Sequence, residues 1–125
     1  MANPNIVNVT TIYGNSSSTA LSTTSATSIV SNAAASGKVF KINSIVVANV
    51  DGTSAADITI NVYSQAALGG TAYAIASTIS VPADASLIVT DKTTSFYLLE
   101  NQSIGATAGT ANDLVVTASW EEINS

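Results

Sequence analysis

Apolar and polar positions alternate along most of this chain with the period of a sheet. In DITINVYS (57–64), Ile58, Ile60 and Val62 take one side and Thr59, Asn61 and Tyr63 the other, the pattern of a strand with one buried face. KVFKINSIVVANV (38–50) places Phe40, Ile42, Val46, Ala48 and Val50 on one face, while Ile45 and Val47 make the other face apolar too, which predicts a central strand. TAYAIASTISV (71–81) sets Tyr73, Ile75, Ile79 and Val81 opposite small residues. SLIVTDK, QSIGATA and LVVTASWEEI add three strands, and a short one is expected around Ile29 and Val30. The opening stretch NIVNVTTIYG (5–14) is rich in β-branched residues, with Val7, Val9 and Tyr13 on one face and Ile6 and Ile12 on the other. Such a strand needs cover on two sides.

The total is about seven or eight strands. Turn chemistry at Asp51-Gly52, Gly69-Gly70, Pro82-Ala83-Asp84 and Gly109-Thr110 separates them at antiparallel spacing. An all-β fold follows: a single antiparallel β-sandwich domain over residues 1–125, with jelly-roll or immunoglobulin-like Greek-key connections. The alanine-rich SNAAASG and SQAALGG are taken as loop turns, not helices. NSSSTALSTTSATS (15–28) has neither Pro nor charge; with the opening strand it predicts an N-terminal strand and arm over residues 1–28 that orders on contact. SIVVANVDGTSAADITI and SIGATAGTANDLVV share a Ser-Ile start, a Gly-Thr turn and an Asp before the returning strand. They read as two similar hairpins, explained either by recurrent turn chemistry or by tips that share one contact surface.

Charge narrows the partners. Three lysines (Lys38, Lys41, Lys92) face eight acids, with no Arg or His, for a net charge of −5. Nucleic-acid binding relies on clustered cations that neutralise phosphate, so neither DNA nor RNA is expected as a partner. The same scarcity argues against an anionic membrane surface, and no apolar run approaches the roughly 18 residues of a spanning helix. MANPNIVNV lacks the basic start and apolar middle of a secretory signal, so assembly in a cytoplasm is the expectation.

Catalytic constellations are not found. Without His or Cys there is no imidazole base, thiolate nucleophile or zinc cluster, and the many hydroxyls have no partner to activate them. Glu121 and Glu122, adjacent on a strand, point to opposite faces. Asp51, Asp57, Asp84, Asp91 and Asp113 fall at loops or strand ends, with no spacing that matches a calcium loop, and turn capping accounts for them. Trp120 stacks either on a sugar or, as the alternating strand around it suggests, in the core. No enzyme and no cofactor is expected.

NIVNVTTIYG, KVFKINSIVVANVDGTSAADITINVYS, ISVPADASLIVTDKTTSFYLLENQSIGATA and LVVTASWEEI together resemble the small virion structural proteins of tailed bacteriophages, particularly those of cyanobacterial viruses. The resemblance covers nearly the whole chain and implies a capsid, neck or tail component located in the virion. Few charges, many Ser, Thr and Ala residues and surplus apolar strand faces suit docking on a symmetric lattice. The expected function is capsid decoration, or cement, with the major capsid protein or other virion proteins and further copies of the chain as partners. The alternatives are a neck or tail adaptor ring and, in another class, a carbohydrate-binding module of a tail protein. Ile6, Val7, Val9, Ile12 and Tyr13 are the candidate interface.

Overall fold

Strands form wherever the alternation runs. The computed structural model describes residues 4–124 and contains β1 (Thr11–Ala20), β2 (Thr27–Asn32), β3 (Lys38–Asn49), β4 (Ala56–Gln65), β5 (Gly69–Val81), β6 (Ser86–Thr90), β7 (Phe96–Leu98), β8 (Gln102–Ala108) and β9 (Leu114–Asn124). One sheet runs β1-β9-β3-β6, with β7 also on β3, and the other runs β2-β8-β4-β5. Strands β6 and β7 pair with successive stretches of β3, Ile45–Ala48 and Phe40–Ile42, and together behave as one interrupted edge. Counted that way there are eight strands in two antiparallel four-stranded sheets, wound as a jelly roll. Ile42, Ile45 and Val47 from one inner face meet Ile58, Ile60 and Ile104 from the other, all fully buried.

The double-faced pattern of β3 has a local cause. Its register against β9 shifts between Ile42 and Ser44, so Asn43 is an extra residue and the side chains after it change face. Ile45 and Val47 therefore join Phe40 and Ile42 in the core. Val46 and Ala48, expected beside Phe40, instead sit half-buried on the outer face, and Val50 is exposed. Strand β5 departs from expectation for the same reason: three register shifts against β4 and a left-handed Thr78 (φ 49°) break its alternation. Ala76 and Val81 are buried, while Tyr73, Ile75 and Ile79 are exposed.

The N-terminal expectation also changes. The side chain of Asn5 accepts from Val7 N at 3.0 Å, and Asn8 N donates to Asn5 O at 3.1 Å, so a turn replaces the predicted strand over 5–8. The ladder begins when Thr10 N reaches Asn124 O at 2.7 Å. Asn15–Ala20, assigned to a loop or arm, is the second half of β1, paired in unbroken register with β9. Ordering comes from this intramolecular pairing, which hydroxyl-bearing side chains tolerate on a half-exposed edge. Residues 1–3 of the expected arm lie outside the described residues.

Two buried asparagines tie the sheets together. Asn32 of β2 donates from Nδ2 to Lys38 O (3.0 Å) and Leu98 O (3.2 Å) on the opposite sheet and accepts from Ser36 Oγ at 2.6 Å. Asn49 of β3 donates to Ser54 O and Val81 O, both at 2.9 Å, and accepts from Asp51 N. Each amide satisfies three of its hydrogen-bonding positions where water is excluded.

The two segments predicted as hairpins are corners that carry the chain from one sheet to the other, β3 to β4 and β8 to β9. They lie side by side: Val50 N donates to Asp113 O, and Gly109 N to Asp57 O, each at 2.8 Å. The true hairpin tip at Ala66–Leu68 holds Ala67 and Leu68 at φ 55° and 61°. Left-handed non-glycine residues cost roughly 1–3 kcal/mol each. Here side chains on neighbouring strands and loops offset that cost, with Asn101 Oδ1, Ser31 Oγ and Ser103 Oγ accepting the N–H groups of residues 66, 67 and 68 at 2.9–3.1 Å.

Candidate docking surface

The outer face of the β1-β9-β3 sheet carries apolar residues at one end. Ile12 pairs with Ile123, and Ile123 with Val39, so the three stand in one row on that face, away from the core. Tyr97, opposite Lys41 on β7, extends the patch, and Leu99 follows it. The turn at 5–8 brings Pro4 and Ile6 across the row, forming an open apolar groove of about 210 Å³ lined by Pro4, Ile6, Val39, Tyr97 and Leu99. Val39, Ile123 and Pro4 are buried by this cover. Ile6, Ile12, Tyr97 and Leu99 remain exposed.

The five sequence-derived residues are thus divided. Ile6 covers the groove and Ile12 joins its outer row, while Val7 projects from the turn and is 92% exposed. Val9 is half-buried. Tyr13 lies on the other face of β1, opposite Glu122, and is more than half exposed. The structure brings Ile6 and Ile12 to one surface and leaves Tyr13 on the other side of the sheet. Val39, Tyr97 and Leu99 were missing from the expectation. Val39 alternates with Phe40 and signals an outward apolar position, whereas Tyr97 and Leu99 become neighbours only through β7 pairing.

On the other face of β9 from the patch, Glu122 receives three donors: Asn15 Nδ2 at 2.8 Å, Trp120 Nε1 at 3.4 Å and Lys38 Nζ at 3.3 Å. The Trp120 ring also stacks on Phe40, with centroids 6.4 Å apart and planes 25° apart. It is half-buried at the end of the core, held on one side by an aromatic ring and on the other by a carboxylate. Glu121, on the opposite face, pairs across the strands with Lys41. Further along the outer face come Ser16, Ser18, Ser119 and Thr117, with Ser18 Oγ and Thr117 Oγ1 3.0 Å apart. Among the described residues, no group of three or more His, Cys, Asp or Glu side chains is placed to hold a metal ion, and no helix is long and apolar enough to cross a membrane. The surface offers shape, apolar contact and backbone hydrogen bonds.

Fold and surface define an all-β sandwich of the jelly-roll class with an exposed apolar face. No protein-family model matches the chain, nor does any curated protein. Among solved structures it is similar to a chain from Bacillus endospore appendages, described as forming a novel family of disulfide-linked pili. The similarity covers 92% of this chain and 90% of that one, at 19% identity and a TM-score of 0.54. At that identity the likeness carries the fold alone.

Proposed function

We propose that the chain is a non-enzymatic structural subunit of a virion, a capsid decoration or cement protein that docks on the major capsid protein and links neighbouring capsid subunits. The observation that carries this reading is the cluster of Ile6, Ile12, Tyr97 and Leu99 exposed around one groove. The resemblance of its segments to phage virion proteins supports the same reading. Docking buries the groove, and because the bound partner stabilises only the assembled shell, capsid expansion or rupture must first break the contact. The pilus subunit of similar fold is described as disulfide-linked; this chain contains no cysteine, so the proposed docking uses no disulfide.

A neck or tail ring is the alternative within the virion, distinguished by closed rings of the isolated protein in electron micrographs. A carbohydrate-binding role is weakened by Trp120, whose ring is engaged by Phe40 and Glu122. The test is co-sedimentation with particles assembled from the major capsid protein of a tailed phage. The parent chain is expected to pellet with them, and Leu99→Asp, which places a charge in the groove, to stay in the supernatant. Failure of the parent to bind, or equal binding by both, overturns the capsid reading.

A further inference from the structure

The chain has four sheet edges, and they differ in how they are protected. Strand β2 has six residues and a register shift between Ser28 and Val30. Strand β5 is broken by three shifts and the left-handed Thr78. The β6–β7 edge is interrupted by the turn at Asp91 and Lys92, which adds charge. Strand β1 has none of these features. Among the described residues it pairs with β9 alone, runs ten residues without a register shift, and its sequence TIYGNSSSTA contains no charge and no Pro. Bulges, charges and short length are what ordinarily keep sheet edges from adding another strand, so β1 stands open to one.

We infer that β1 pairs antiparallel with β1 of a second copy across a twofold axis normal to the sheet. The occupant follows from what the chain itself offers: the strand able to supply an equally long, unbroken, uncharged ladder is β1 again, and isologous pairing needs no second complementary surface. A normal twofold keeps outer face beside outer face, so outward residues must lie opposite outward residues. Centring on Ser16 achieves this, setting Ser16 against Ser16 of the second copy, Gly14 against its Ser18 and Ile12 against its Ala20. These contacts are small and leave room for close approach; a Cβ added at Gly14 would meet nothing within 4 Å. The net charge of −5 does not oppose the pairing at this edge. The nearest outward acid, Glu121, stands one strand in, opposite Gly14 and in register with Lys41 on β3. The two Glu121 side chains are then three strand spacings apart, about 14 Å or more, beyond the screening length in physiological salt.

The dimer deepens the reading of the chain as an assembly subunit and supplies two grooves per particle. It is tested on purified protein alone, so loss of capsid binding and loss of dimerisation are separate results. The parent should sediment at micromolar concentration as twice the 12.6 kDa chain mass, and Ser16→Lys with Ser18→Lys, both exposed, should sediment as a folded monomer. In the cysteine-free background, Ser16→Cys should form an intermolecular disulfide under mild oxidation, since directly opposed Cβ atoms lie about 4.5–5.5 Å apart. Ser80→Cys, exposed on β5, should not. A monomeric parent, a dimer untouched by the paired lysines, or equal cross-linking at both cysteines overturns the proposal.

Discussion

Asn32 offers the most direct check on how the two sheets are held together. Removing its side chain with Asn32→Ala deletes three hydrogen bonds and leaves Lys38 O and Leu98 O short of a partner at a fully buried site. Each buried polar group that loses its partner costs about 1–3 kcal/mol. Both carbonyls lie on paired strands, so the lower half of that range applies and the sum comes to about 2–4 kcal/mol. That is a large share of the roughly 5–15 kcal/mol by which a domain of this kind is stable. Asn32→Asp should be worse near neutral pH, because a carboxylate would face two carbonyl oxygens. Its burial raises the folded-state pKa above the ordinary value, so the acid is tolerated when protonated, and stability falls as pH rises through the folded pKa. Urea denaturation followed by the fluorescence of Trp120, the single tryptophan, measures both variants. The expected result is a pH-independent deficit for Ala and one that shrinks on acidification for Asp. A deficit under about 0.5 kcal/mol for Ala, or no pH response for Asp, would refute the role assigned to the amide.

Two further outcomes follow from the core and the turns. Ile60→Ala, at a fully buried position, should cost about 2–5 kcal/mol, with Trp120→Ala, half-buried at the core's end, toward the lower part of that range and Asp51→Ala, half-buried in a turn outside the core, lower still; thermal melts that rank them otherwise contradict the assigned buried face. The Thr93 hydroxyl and amide that bond Asp91, with the Thr94 backbone assisting, hold its carboxyl below the ordinary value of 3.8, so the turn is intact above that value and loosens as pH falls through the lowered pKa. The Thr93 amide chemical shift should titrate below 3.8 in the parent and lose that transition in Asp91→Asn.

The all-β class, the sandwich and most strands were legible in the sequence, because alternation at period two is a local consequence of which face of a strand is wet. DITINVYS became β4 with Ile58 and Ile60 in the core, and Glu121 and Glu122 took opposite faces as adjacent strand residues must. Three features depended on contacts that a linear pattern does not contain. The bulge at Asn43 is set by the register of β9, and it moved Ile45 and Val47 to the inner face where alternation had placed them outside. The Ser/Thr-rich half of β1 looked like an arm because no local apolar signal marks it; the pairing of Asn15–Ala20 with Trp120 through Val115 makes it a strand. Conversely, Ile6 and Val7 looked like strand, but the Asn5 side chain captured the local N–H and turned the chain. The candidate surface shows the same division. Ile6 and Ile12 were visible as apolar residues in an exposed setting, whereas their meeting with Val39, Tyr97 and Leu99 required the sheet to bring together segments as far apart in sequence as Ile6 and Leu99. Local burial preference is written in each residue; register and edge exposure are properties of the closed sheet, and those decide which apolar residues are left for a partner.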